Sequence, residues 1–314
     1  MPVSRLNRKI RLRDLDTLVA VVRTGGVRKA AEFLHLSQPA VSRAISDLEA
    51  SLGVVLLDRS RRGVAVTPFG EALLRRTATV FDELQMAVDE IEHLADPSGG
   101  NVHMGCMATL CSGIVARATE HLAHRYPRLR LRIETADSPH LIDYFLRERI
   151  CEFVIARPYA LPLDSGILSE PLWHDRLRVV VGRDNPYARR RRMALADLVQ
   201  SHWLLSSNEV KAGSPVAEAF GGQGLPLPAL LTVSNSLSMR ISLLTTGPFV
   251  TVMPQSLLHF LPQRLSLRVL PIEVPPWRAA TMILTLRDRR LGPAAEIVLD
   301  TLRTLAKPLA DPVP

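Results

Sequence analysis

The 314-residue sequence predicts an α/β protein built from unlike parts: a small, mainly α winged helix-turn-helix, one long helix, and a larger α/β domain. Three observations predict it. Apolar residues recur at helical spacing through the first 52 residues, with glycine or proline where helices stop and start. The same spacing then holds without a break from Pro68 to about Ala95, a stretch on the order of 40 Å long as a helix. From Val102 onward, short β-branched runs alternate with helical segments, the pattern of a parallel sheet with covering helices.

The elements follow in order. Leu12, Leu15, Leu18, Val19 and Val22 define a first amphipathic helix, closed by Gly25-Gly26. A short second helix covers about Val27–Leu34, with Ala30, Ala31 and Leu34 inward. Ser37 stands before Gln38-Pro39 as N-cap and first turn of a third helix, which ends at Gly53. Its apolar stripe, Val41, Ile45, Leu48 and Leu52, leaves Gln38, Ala40, Ser42, Arg43 and Ser46 on the outer face. Two short strands, Val55–Asp58 and Val64–Thr67, flank a basic glycine-containing turn in the manner of a wing. In the long fourth helix, Leu73, Leu74, Val80, Phe81, Leu84, Val88, Ile91 and Leu94 are spaced to bury against another helix, so it should dimerise. Asp96-Pro97-Ser98-Gly99-Gly100 reads as a linker. Strands are then expected at Val102–Met107, Leu129–Thr135, Phe153–Ala156, Arg178–Gly182, Trp203–Leu205, Val250–Met253, Leu267–Leu270 and Met282–Leu286. Helices should run to about Arg125 and Arg149 after the first two strands, with a last one at Pro293–Leu305. The sequence shows no internal repeat.

Charge is distributed unevenly. Residues 1–76 hold 14 Lys/Arg against 7 Asp/Glu, whereas residues 77–95 hold five acidic residues and no Lys or Arg. A basic unit followed by an acidic spacer fits a polyanion bound at one end only. No uninterrupted apolar run reaches the length of a membrane span, and the basic start is not followed by a secretory core. Cys106, Cys111 and Cys151 are too few for a disulfide framework, so a reducing cytoplasm is expected.

The strongest motif is Lys29-Ala30-Ala31-Glu32-Phe33-Leu34-His35-Leu36-Ser37-Gln38-Pro39-Ala40-Val41-Ser42-Arg43 with the wing behind it. Two helices meet across a short turn, and the second presents its polar N-terminal residues outward. Gln and Arg can bond adenine and guanine edges in pairs, and wing arginines can meet phosphate or the minor groove. An ordinary three-helix bundle with a solvated face is the competing reading, and the wing argues against it. Residues about 9–95, with the core AAxxLxxSQPAVSRxIxxLExxLGxxLxxR, closely resemble the N-terminal domain of the LysR-type transcriptional regulators. Residues 97–314 resemble the family's effector domain more loosely. There GPFVTVMP at 247–254 is similar to the family's GxGxxxLP, with Phe249 where glycine is usual.

The resemblance implies a DNA-binding domain (1–67), a linker and dimerisation helix (68–96), and a periplasmic-binding-protein-like effector domain (97–314). The last would have one lobe at about 97–160 and 268–314 and another at about 161–267. It implies double-stranded DNA with an interrupted inverted repeat, a small-molecule effector, a homodimer or homotetramer, and RNA polymerase as partners. The opening residues also resemble those of regulators of aromatic-acid and sugar-uptake operons. Carried over residue by residue, Ser37, Gln38, Pro39, Ala40, Ser42 and Arg43 fall at the major groove, Arg59, Arg61 and Arg62 in the wing, and Thr67 at a phosphate.

In open α/β sheets, ligands bind off the carboxyl ends of strands. That rule selects Ala108, Thr109 and Leu110 after the first strand, with Ser206, Ser207, Asn208, Ser234, Asn235 and Ser236 opposite. Arg157 would supply a cation at the crossover, and a small organic anion would fit. Helix caps and a surface ion pair are the plainer readings of the same residues. Cys106 and Cys111 leave a redox-sensing alternative open, but no His/Cys cluster completes a metal site. The Arg189–Arg192 run reads as a solvated loop. No Ser/His/Asp, paired-carboxylate, P-loop or GxGxxG arrangement has supporting context, so neither catalysis nor a cofactor is expected. Two rivals remain at this point: a C-terminal half that only oligomerises, and an enzyme with appended DNA binding.

Overall fold

A computed structural model describes residues 10–60, 63–158, 163–261, 266–276 and 280–309, with residues 59, 60 and 63 by backbone alone. The chain forms two compact units, 1–85 and 86–314.

In the first unit, α1 (Leu12–Thr24), α2 (Val27–Phe33) and α3 (Gln38–Leu52) surround one apolar cluster. Leu18, Val21, Ala30, Val41, Ile45 and Leu48 are all fully buried in it. Gly25 and Gly53 close α1 and α3 at φ 75 and 71, a backbone region in which a Cβ is strained. The turn between α2 and α3 uses the same region without a glycine. His35 sits there at φ 53, and the Leu36 N–H reaches back to the Ala31 carbonyl at 2.9 Å.

The wing strands β1 (Leu57–Ser60) and β2 (Gly63–Val66) pair antiparallel, with Leu57 opposite Val66 and Arg59 opposite Val64. The first starts two residues later than its sequence pattern predicts, and the reason is local. The Glu49 carboxylate accepts the Leu56 and Leu57 N–H groups at 2.8 and 3.2 Å, fastening the end of α3 to the entry of the wing.

Helix α4 (Pro68–Ala95) begins under that entry. A Cβ at Gly70 would stand 2.3 Å from the Leu56 carbonyl oxygen, so only glycine allows the approach. Leu73, Leu74 and Phe81 pack on the first unit's cluster. The remaining apolar stripe, Val80, Leu84, Val88, Ile91 and Leu94, is exposed in the single chain, Leu94 at 77%.

The second unit holds two five-stranded sheets with one plan. The first is ordered β4-β3-β5-β12-β6, from β3 (Gly99–Cys106), β4 (Arg128–Thr135), β5 (Phe153–Ala156), β6 (Ile167–Trp173) and β12 (Thr281–Leu286). The second is ordered β9-β8-β10-β7-β11, from β7 (Leu177–Gly182), β8 (His202–Leu205), β9 (Leu231–Val233), β10 (Phe249–Pro254) and β11 (Leu267–Glu273).

In each sheet four strands run one way and a single strand runs against them: β12 is antiparallel to β5 and β6, and β7 is antiparallel to β10 and β11. The purely parallel sheet expected from the alternation is thus corrected to mixed sheets. The chain passes from the first lobe to the second and back, and each passage contributes an antiparallel strand. It also places residues 167–173 in the first lobe and 267–273 in the second. The lobes therefore change over between Trp173 and Leu177 and between Glu273 and Thr281, rather than near 160 and 268. Strand β6 carries Ser169, Glu170 and Pro171 and shows no alternation, and β9 has only three residues, so neither leaves a clear pattern.

The helix expected after β3 is broken into α5 (Ala108–Leu110), a π-helical turn at Cys111–Val115, and α6 (Ala116–Arg125). The break occurs where α10 (Gln255–Phe260) of the second lobe docks, with the Leu257 Cα 3.6 Å from a Cβ built on Gly113. Helix α7 (Ser138–His140) continues as a π-helical stretch, Leu141–Leu146. On the first lobe, α6 and α11 (Pro293–Ala306) cover the sheet through Ala118, Leu122, Val298 and Leu302. Trp203 and Phe220 of α8 (Pro215–Gly221), edge to face at 5.4 Å, anchor the second.

Candidate DNA interface and sensing cleft

The first site is the N-terminal edge of α3. Ser37 has extended backbone, and its hydroxyl accepts the Ala40 N–H at 3.3 Å. Pro39 occupies the first turn, where its missing N–H costs nothing. Val41, Ile45 and Leu48 fix the rotation of the helix in the core, which leaves Ser37, Gln38, Pro39 and Arg43 exposed and Ala40 and Ser42 half-buried. The expected outward face is therefore assembled on a rigid support.

The wing is described less fully. Arg59 is placed by its backbone in β1, while Arg61 and Arg62 lie outside the described residues. Thr67 has an internal role: its hydroxyl donates to the Val55 carbonyl at 2.7 Å and accepts the Gly70 N–H at 3.1 Å. It caps α4 and ties it to the wing. Glu49 was not singled out from sequence, although a carboxylate at the end of a recognition-type helix ahead of a strand is a usable signal.

The second site lies at the carboxyl ends of strands in the sensing unit. The parallel register of β8 and β9, Leu205 opposite Val233, sets Ser206–Asn208 beside Ser234–Ser236. Asn235 Oδ1 accepts both the N–H and the hydroxyl of Ser207 at 3.0 Å. Ser236 caps α9 (Leu237–Thr246), and the Lys211 ammonium donates to Asn208 Oδ1 at 2.8 Å.

Beneath them is a buried network that sequence reasoning missed. Arg240 pairs with Glu209 at 3.2 Å and donates to Thr251 Oγ1 at 2.6 Å, while Glu209 accepts the Ser206 N–H at 2.6 Å. On the first lobe, Ala108 packs against the second lobe's cluster of Val180, Leu204, Leu237, Leu244, Met253 and Leu257. The Thr109 hydroxyl is buried and has no hydrogen-bond partner among the described residues, and Leu110 is buried in the first lobe's core.

Arg157, expected to supply a cation at the crossover, lies there with its guanidinium engaged inside the protein. Asp175, in the first passage between lobes, accepts from Arg157 at 2.6 Å, from the Trp173 indole at 3.2 Å, and from the N–H and hydroxyl of Ser256. Arg157 also donates to Thr281 Oγ1 at 2.9 Å. Both members of the pair are buried, and burial lowers the Arg157 pKa against the pull of Asp175. Asp175 therefore ties Arg157 and Trp173 of the first lobe to Ser256 of the second.

Among the described residues no helix is long and apolar enough to cross a membrane, and no three metal-ligating side chains gather.

A helix-turn-helix with a wing, continued by a long helix into a two-lobed α/β sensor, defines a DNA-binding regulator under small-molecule control. The chain belongs to the LysR family. Residues 12–71 match the family's bacterial regulatory helix-turn-helix protein, and residues 95–307 match the LysR substrate binding domain. It is similar to the HTH-type transcriptional regulator GbpR of Azospirillum brasilense, 28% identical over 95% of this chain and 87% of that one. It is also similar to the regulator PcaQ of Agrobacterium fabrum, 26% identical over 98% of each. A full-length OxyR variant from Pseudomonas aeruginosa shares the fold, with a TM-score of 0.64 at 24% identity over 97% of this chain and 99% of that one.

Proposed function

We propose that the Gln38–Arg43 edge of α3 reads base edges in the major groove while the wing holds phosphate. A cleft between the ends of β3, β8 and β9 would take a small organic anion that sets the regulator's state. The carrying observation is the exposure of Gln38 and Arg43 on a helix whose opposite face is fully buried. Polar groups held outward by a fixed helix are what groove readout requires.

The anion reading draws on the orphaned Thr109 hydroxyl and on backbone amides at helix starts, which favour negative charge. In it, Ala108, Thr109, Ser206–Asn208 and Ser234–Ser236 line the cleft, and Arg157 acts from behind through the hinge. Effector binding would bias lobe closure about Asp175. The exposed stripe of α4 pairs two chains, so that two reading helices meet two half-sites. The same reading makes the protein a cytoplasmic regulator, not an enzyme, that communicates with RNA polymerase.

Competition gel shifts at fixed salt test the DNA half. Arg43→Ala should lose discrimination worth about 1–3 kcal/mol between promoter and random DNA, whereas Arg61→Ala should weaken both alike. Equal losses from both variants refute the division of roles. A thermal-shift series of aromatic and sugar carboxylates tests the other half. A ligand seen only by the folded state raises the midpoint, and Thr109→Val should abolish the rise.

A further inference from the structure

We propose that Cys106 and Cys111 form a redox-active dithiol at the turn from β3 into α5, closing to an intrachain disulfide when a hydroperoxide reaches Cys111. The geometry is that of a helix start. Met107 is the extended N-cap of α5, and its carbonyl accepts the N–H groups of Leu110 and Cys111, both at 2.9 Å. The residue before an N-cap and the fourth residue inside the helix are brought into side-chain contact in the hydrophobic staple. Here those two positions are Cys106 and Cys111. Both carry free thiols, Cys106 is fully buried, and Cys111 packs half-exposed against the same cluster.

The two sulfurs divide the work. The Cys106 S–H donates to Cys111 and holds the Cys111 thiol down at about 7, while the same bond and burial raise Cys106 above the ordinary thiol range. Cys151 is set apart. It lies on the opposite face of β3, with Sγ 3.6 Å from a Cβ built on Gly105, and burial pushes its thiol up to about 12.

The chemistry balances without other groups. The Cys111 thiolate attacks one peroxide oxygen and the O–O bond breaks, giving Cys111 sulfenic acid, with water or an alcohol as the reduced product. The Cys106 sulfur then attacks the Cys111 sulfur, the S–O bond breaks, and hydroxide leaves as water with the Cys106 proton. Two thiols are oxidised by two electrons and one hydroperoxide is reduced. The product ties Cys106 to Cys111 across Met107–Leu110, the turn that carries the unpartnered Thr109 hydroxyl. That bond depends only on the cysteines; its influence on ligand binding rests on the sensing role proposed above.

Digestion after arginine makes the test direct, because residues 77–117 carry both cysteines and no basic residue before Arg117 other than histidine. Full-length protein exposed to hydrogen peroxide should yield this peptide lighter by two hydrogen atoms, in wild type and in Cys151→Ser alike. Cys111→Ser should block the loss, and Cys106→Ser should leave a dimedone-trappable sulfenic acid at Cys111. Should Cys106→Ser fail to fold, alkylation of the wild type decides. Cys111 should react about tenfold faster than Cys106 near neutral pH, with a rate midpoint at about 7. Oxidation should also slow amide exchange over residues 107–116. A peptide of unchanged mass, a bond to Cys151, or faster alkylation of Cys106 would overturn the dithiol. A disulfide that leaves exchange unchanged would overturn its hold on the turn while sparing the carboxylate reading, which the Thr109→Val series tests separately.

Discussion

The two candidate sites keep their polar groups in opposite conditions. On α3, Gln38 and Arg43 point outward from a helix locked by Val41, Ile45 and Leu48. In the sensing lobes, Arg157 and Arg240 are buried and fully engaged, by Asp175 at 2.6 Å and by Glu209 at 3.2 Å. A surface that meets a long polyanion gains from donors left open to it. A cleft that closes on a small ligand needs its loops fixed first, and buried charge pairs fix them at the risk of leaving a bare charge if one member is lost. The difference teaches that the open site should tolerate substitution in folding and suffer in recognition, and the closed one the reverse.

The sharpest break comes at the hinge. Asp175→Asn should cost about 3–5 kcal/mol in urea unfolding of the sensing unit, since it strands Arg157 in a buried site. A loss as small as that of a surface substitution would remove the hinge role. In the DNA-binding unit the expected costs are lower. Glu49→Ala should lose about 1–2 kcal/mol by freeing the Leu56 and Leu57 N–H groups, and should weaken promoter and random DNA equally by loosening the wing. Unchanged stability would show that these amides find other partners. The smallest effect runs the other way. His35→Gly should stabilise by about 0.5 kcal/mol, because glycine relieves the left-handed turn between α2 and α3 more than it adds chain entropy. A lower midpoint on melting would mean that the His35 side chain is needed there.

Much of the DNA-binding unit is legible from local rules. Ser37 with Pro39 marks the start of α3, Gly53 its end, and Val41, Ile45 and Leu48 its inner face. The sensing unit is legible only in part. Phe153–Ala156 is recognisable as a fully buried strand, yet β6 is hidden behind Ser169, Glu170 and Pro171. The polar triplet at Ser206 follows a strand the sequence predicts, whereas the one at Ser234 is set beside it by β9, which leaves no pattern of its own. Arg157 is found in the right place and facing another way, because its partner Asp175 cannot be chosen from among the carboxylates of the chain by spacing.

By itself, the sequence determined what depends on neighbours within a few residues: the helix periods, the caps and turns, and the outward Gln38–Arg43 edge. Tertiary structure alone decided which strands share a sheet, where the lobes change over, and which charges are matched. Those choices join residues far apart, Arg157 with Thr281 and Asp175 with Ser256. Burial energy over a whole lobe selects such pairs, and no local pattern records that sum.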